Sequence, residues 1–259
     1  MLDPFEQKKQ AIITEISATL SDLPDASPKG TIDEFCWPVI NIINRHSDMV
    51  TTSLCLGRVS VFLEGHKGDL KEGEMKIGAK GNEGRWLFVT HDPKDLPGWH
   101  KQISFKYTTE YPLDPTTRYI LFKFEPLILH VKCRDVATAT QLYNTAMGCG
   151  FRESGIGSHN NVAIRTSIKL DVPIGYLGEN DELVCFVTPE YLDLITTLSD
   201  NRFQENFKKM RAIERAIEGM EVKEQVKVET KEERRERKRL EGLARQQQLR
   251  EGRTAQDST

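Results

Sequence analysis

Three stretches of this chain gather hydroxyls, glycines, a thiol and cations at spacings suited to holding an anionic small molecule. In Ser27-Pro28-Lys29-Gly30-Thr31-Ile32-Asp33, small residues and free amides precede a helix start. Unpaired N–H groups and the helix dipole converge there on an anion, and Lys29 adds charge. A plain helix entry with a proline and a cap fits the same residues. The stretch from Thr51 to Ser60 holds Ser53, Cys55, Gly57 and Arg58. Gly57 lets another group approach the backbone, and Arg58 can clamp a carboxylate or phosphate through two parallel N–H bonds. Cys55 as a nucleophile would need a base and a lowered pKa, and the sequence shows neither, so a buried structural thiol is the competing reading. Gly78-Ala79-Lys80-Gly81-Asn82-Glu83-Gly84 leads into Arg85-Trp86 but lacks the G-x-x-x-x-G-K-[ST] pattern, which excludes a P-loop triphosphatase. Trp86 either stacks a base or joins the core on a face with Phe88 and Thr90. Gly148 and Gly150 follow a helix rather than a strand, so they read as its C-terminal stop and not as a Rossmann-type cofactor turn. His91, Asp92, His130 and Cys133 match no common metal spacing; they read as satisfied structural residues, and no metal is expected.

These residues sit in a chain of 259 residues, 38% hydrophobic and 29% charged, which is enough to bury a sizeable core. No apolar run approaches the roughly 20 residues that span a bilayer, and Lys8 and Lys9 lie within an amphipathic N-terminus unlike a signal peptide. Five scattered cysteines without a C-x-x-C pair suit reduced thiols, so a soluble cytoplasmic protein is expected. Net charge is -3, but Lys231 to Arg253 holds nine Lys/Arg against five Glu, a balance of +4 that leaves -7 for the rest. The body is acidic and the tail basic.

The elements that must position the chemistry follow from periodicity. An amphipathic N-terminal helix precedes a second one over 31–46, started by the Thr31-x-x-Glu34 capping box and kinked at Pro38. Strands follow over 50–53 and 58–63, parted by Gly57, and 64–84 reads as a long mobile loop. Another strand covers 85–90, and the proline-rich 91–118 is an irregular connection with at most one short helix. Strands over 119–125 and 127–133 are broken at Pro126. Asp135 caps a helix to 147, strands cover 162–170, 172–176 and 183–187, and Pro189 opens an interrupted helix to about 220. Strands following strands predict an α+β fold with a largely antiparallel or mixed sheet and two interlocked, duplicated halves. Residues 1–220 form the domain, and 221–259 a charged helical or disordered tail.

At these same residues the chain closely resembles the tRNA wybutosine-synthesizing protein 3 family. The blocks are SPKGTID (27–33), DMVTTSLCLGRVSVFLEG (48–65), KGNEGRWLFVTHD (80–92), FKFEPLILHVKCRD (122–135), LYNTAMGCGFRESGIGS (142–158) and VAIRTSIKLDVPIG (162–175), and the likeness runs from Phe5 to Leu198. The resemblance implies a methyltransferase domain that uses S-adenosyl-L-methionine to methylate N4 of the aminocarboxypropyl-demethylwyosine base beside the anticodon of phenylalanine tRNA. Other enzymes of the wybutosine pathway are further candidate partners. Where relatives read SSCSGR, this chain has Leu54 and Leu56 around Cys55; strand alternation puts both leucines on one face and Ser53, Cys55 and Gly57 on the other. Ala79 also replaces a usual glycine.

On this reading Asp33 is the candidate base or hydrogen-bond acceptor, and Ser27, Lys29, Gly30, Ser53 and Gly57 hold the donor. Arg58, Arg134 and Arg152 meet phosphate or the carboxylate on the base. Glu125, His130, Arg165 and Asp171 are open between the pocket and ion pairs within the sheet. Two other classes stay in view: a non-catalytic RNA-binding or scaffold protein of the pathway, and a Cys55-dependent hydrolase or transferase.

Overall fold

The computed structural model describes residues 3–19, 32, 34–65, 83–114, 116–220, 235 and 239. Two units divide between Met220 and Glu221. Of the second, only Arg235 and Arg239 are described, so the expected tail lies outside the described residues, as does most of the expected loop over 64–84.

The first unit is α+β, with four α-helices and eight strands among the described residues. The helices are α1 (Pro4–Thr19), α2 (Trp37–Arg45), α3 (Val136–Gly148) and α4 (Pro189–Glu218). The strands are β1 (Met49–Leu63), β2 (Arg85–Thr90), β3 (Phe105–Tyr107), β4 (Tyr119–Cys133), β5 (Gly155–Ile156), β6 (Asn161–Arg165), β7 (Leu170–Leu177) and β8 (Leu183–Cys185). The sheet order is β2-β1-β4-β7-β8-β3, with β6 also on β4 and β5 on β6. All pairings are antiparallel except β3 with β8, so the mixed, largely antiparallel sheet expected from the sequence is present.

Local chemistry sets the helix ends. The Asp135 carboxylate accepts from Thr138 N–H at 2.7 Å and starts α3, and the Thr188 hydroxyl caps α4 ahead of Pro189. Gly150 at φ 84° stops α3, as its sequence position suggested. In α2 the proline lies in the first turn, where its missing N–H costs nothing; the helix begins after a 3-10 turn (Glu34–Cys36), so the expected interior kink does not arise. Thr31 of the expected capping box lies outside the described residues. Helix α4 is uninterrupted for 30 residues, roughly 45 Å at 1.5 Å per residue. Leu192, Ile195, Phe203, Met210, Ile213 and Ile217 form its buried stripe.

That stripe covers two cores in succession. Met210, Ile213 and Ile217 pack with α2, α3, Leu56, Leu127, Leu129 and Val131. Leu192, Ile195 and Phe203 pack with Val59, Val61, Leu63, Ile120, Phe122 and Phe124. Core residues on β1 after its bulge at Thr52 are therefore even-numbered up to Leu56 and odd-numbered from Val59, and β4 switches parity between Phe124 and Leu127. Both strands change phase where Gly57 pairs with Pro126. Sequence patterning breaks each strand here. The ladder instead runs on as one 15-residue strand on either side, because the irregularity is absorbed locally. Gly57 takes φ 101° to do it, and Asn206 of α4, fully buried, fills the gap. Its Nδ2 donates to Leu56 O at 2.6 Å and its Oδ1 accepts from Leu127 N–H at 2.9 Å.

Candidate functional site

The face of the sheet turned away from α4 carries the polar side chains. A register shift between Thr51 and Ser53 leaves both Thr52 and Ser53 exposed, while Leu54 and Leu56 turn into the first core. A bulge re-aims side chains in this way, and the two leucines are packing residues, as alternation suggested. Across the ladder His130 pairs with Ser53 on one side and Ala163 on the other, and Lys132 pairs with Asn161. Leu129, Val131 and Cys133, alternating with them, are buried. In that core, burial pushes the Cys133 thiol up to about 12.

Helix α1 walls this face. Asp3 caps it, accepting from Glu6 N–H at 2.8 Å. Lys9 donates to His46 O and Ser47 O, two carbonyls at the end of α2. Arg134, at the end of β4, is ion-paired with Asp3, Glu6 and Asp48, the last at 2.6 Å, and its guanidinium lies 4.6 Å from the ring centre of the buried Phe5. Between helix and strands opens a cavity of about 850 Å³ lined by Phe5, Lys8, Ser53, His130, Lys132 and Arg134, and by Thr52, His159 and Asn161 as well.

Several polar groups in the cavity have fixed partners. Thr52 Oγ1 donates to His130 O at 3.1 Å, and Lys132 Nζ donates to His159 O. The Ser53 hydroxyl and the His130 ring nitrogens, in contrast, bond to none of the described residues, so the sequence reading of His130 as a satisfied structural histidine does not hold. Burial and then the Arg165 charge lower the His130 pKa from the ordinary 6.5, so its imidazole is neutral at neutral pH. The arrangement offers hydrogen-bond donors and acceptors, two amines and an aromatic edge within one cavity of the size that takes small molecules.

Of the residues singled out in the sequence, Ser53 and Arg134 line this cavity together. Gly57 and Arg58 lie on the same strand but further along; five residues at about 3.3 Å each put Arg58 roughly 16 Å from Ser53. Arg58 donates to Glu125 at 2.7 Å and covers Trp86 at 5.1 Å. Arg152 is exposed on the turn after α3. Ser27, Lys29, Gly30 and Asp33 lie outside the described residues. Asp171 pairs with Lys123 at 3.0 Å. Trp86 is not a core residue: it is 37% exposed and lies over the buried Phe62, with which a register shift between Val61 and Phe62 pairs it, while Phe88 packs inward. Phe5, Lys8, Lys132, His159 and Asn161 were not found from the sequence, although the period-two run His130, Lys132 against Leu129, Val131, Cys133 marks the polar face.

A family model described as Methyltransferase TYW3 matches residues 7–219. The chain is 54% identical to tRNA wybutosine-synthesizing protein 3 of Saccharomyces cerevisiae, over 95% of this chain and 96% of that protein. It is 32% identical to a Pyrococcus horikoshii protein named tRNA(Phe) 7-((3-amino-3-carboxypropyl)-4-demethylwyosine(37)-N(4))-methyltransferase 1, over 80% of this chain and 93% of the relative. The solved structure of the PH1069 protein from the same archaeon superimposes with a TM-score of 0.60 at 27% identity, covering 83% of this chain and 97% of that one.

Proposed function

This chain belongs to the TYW3 methyltransferase family, and from that premise we propose that it methylates N4 of the aminocarboxypropyl-demethylwyosine base beside the anticodon of phenylalanine tRNA, with S-adenosyl-L-methionine as donor. The observation that carries the reading is the family match over residues 7–219, which takes in every described strand of the sheet and all of the cavity lining except Asp3, Pro4 and Phe5. We place the reaction in the cavity between α1 and strands β1, β4 and β6.

The donor supplies an electrophilic methyl group on a sulfonium, so the protein's task is chiefly alignment of donor and acceptor nitrogen. The unspent Ser53 hydroxyl and His130 ring in a cavity of about 850 Å³ fit such polar ligands. Lys8 and Lys132 would meet a carboxylate, whether the donor's or that of the base's side chain, and Asn161 and Ser53 would hold hydroxyls. Arg134, its charge already met by three carboxylates, would serve by fixing α1 as the cavity wall. The donor-holding roles read from the sequence for Ser27, Lys29 and Gly30 belong to the same proposal, with Asp33 as a hydrogen-bond acceptor, as do the anion-binding roles of Arg58 and Arg152. A cytoplasmic place of action is also part of it; no described helix is long and apolar enough to cross a membrane.

The test is incubation of the purified protein with donor and with phenylalanine tRNA from cells lacking this gene, followed by nucleoside mass analysis. One added methyl on the wybutosine precursor is expected. Tight binding of that tRNA with no methyl added would overturn the reading in favour of a non-catalytic RNA-binding protein.

A further inference from the structure

Resting on that reading, we propose that His130 is the general base that takes the proton from N4 of the tricyclic base as the methyl group arrives. A 4-demethyl nitrogen that becomes an N4-methyl group in a neutral base must lose hydrogen. The N4–H bond breaks as the N4–C bond forms. The N–H electron pair stays on the base, the carbon–sulfur pair leaves with sulfur, and the proton goes to a ring nitrogen of His130 and then to water. A positioned base is worth about 10²- to 10⁴-fold in such steps.

The choice of His130 comes from eliminating the other cavity groups. Lys8, Lys132 and Arg134 are cations at neutral pH and donate only. Asp3 is a weak acceptor of protons, because the Glu6 N–H and then the Arg134 charge hold its carboxyl below the usual range. His159 lines the cavity too, but on an exposed turn, with its backbone in the left-handed region at φ 56° and its carbonyl bound to Lys132, whereas His130 is half-buried in the strand. His130 remains. It lies across the ladder from the free Ser53 hydroxyl, its own ring unbonded by any described residue, and the small Ala163 beside it leaves the face open. The charged groups facing it are Arg165 from β6, Lys132 and Arg134 from β4, and Lys8 and Asp3 from α1. Four of those five are cationic, and burial, then the Arg165 charge, keep the imidazole neutral and ready to accept.

The sign follows from that direction. A lowered folded pKa means the neutral, base-competent form prevails at pH 7 and is lost only as pH falls through a value below 6.5. Single-turnover rates of the full-length protein on precursor tRNA should therefore fall on the acid side of that value. His130→Asn and His130→Gln should lower the rate about 100-fold or more and remove this acid limb. The affinities for S-adenosylhomocysteine and for tRNA should stay within about twofold, and added imidazole should restore part of the rate. In the donor-free protein, ring NMR should show His130 titrating below 6.5 and shifting when S-adenosylhomocysteine is added. If both variants keep the wild-type rate, or lose ligand affinity instead of rate, the base assignment is wrong. It is equally wrong if Asp33→Asn, and not the His130 variants, removes the acid limb. If Lys132→Ala and the His130 variants all leave rate and both affinities untouched, the cavity itself is not the site, and the placement beneath the proposal fails with it. Wild-type protein that transfers no methyl would instead overturn the functional reading alone.

Discussion

Gly57 and Asn206 make a pair whose value can be measured one residue at a time. A Cβ on Gly57 would stand 2.8 Å from Glu125 O and 3.2 Å from Asn206 Nδ2, at a φ that side chains rarely adopt. Removing the Asn206 amide leaves Leu56 O and Leu127 N–H buried without partners, at about 1–3 kcal/mol each. Asn206→Ala is expected to lower stability by about 2–4 kcal/mol in urea unfolding, and Gly57→Ala by at least about 1 kcal/mol. Arg58→Ala should cost less than about 1 kcal/mol, since its pair with Glu125 is about a third exposed. A large loss there with none at Asn206 would reverse this ranking. In the sequence Gly57 stood out as a place where a ligand could approach; what approaches is Pro126 and the α4 amide. Nothing in the letters 50–63 names Asn206, because that contact joins residues 150 positions apart. His130 was visible as a candidate but read as satisfied, since only the fold shows that none of the described residues bonds its ring.

At the scale of elements, α1 is the piece whose attachment the site depends on. Its ties to the body include Phe5, Lys9 and the Asp3 and Glu6 carboxylates paired with Arg134. Arg134→Ala should release the helix while the cores stay folded. The measurement is hydrogen exchange: amides of α1 should lose protection, those of α4 should keep it, and donor affinity should fall. Unchanged α1 protection would show that Arg134 does not hold it. Acid should act in the same direction. Asp3 has a lowered folded pKa, so its contribution is present above the ordinary carboxylate range and is lost as pH falls through the lower folded value. Helix starts and stops were largely legible from caps and first-turn residues, as at Asp135, Pro189 and Gly150. The strands were legible only in halves. Period-two patterning cannot run through a point where the core-facing parity switches, so 50–63 and 119–133 each read as two. The short β3 was lost among prolines, and its pairing with β8 is a tertiary choice.

For the whole molecule, the acidic body and basic tail divide the electrostatics. The stretch from Lys231 to Arg253, with its +4 balance, is proposed as a tether for the tRNA backbone. Met220 is buried in the first core, so truncation should begin after it. Deleting 221–259 should leave the melting temperature and donor affinity nearly unchanged, weaken tRNA binding at low salt, and flatten its log–log salt dependence. Equal affinity and equal slope would rule the tether out. The cavity proposed as the site was half legible: Ser53 and Arg134 were singled out in the sequence and line it, while the α1 wall, built by Phe5 and Lys8, becomes part of it only through tertiary packing. The claim on which all of this turns is that the donor binds between α1 and the outer face of β1, β4 and β6. A co-crystal structure of the full chain with S-adenosylhomocysteine tests it directly. The account predicts ligand density in contact with Ser53, His130 and Lys8 or Lys132; well-defined density elsewhere, for instance beside Arg58 and Trp86, would contradict it.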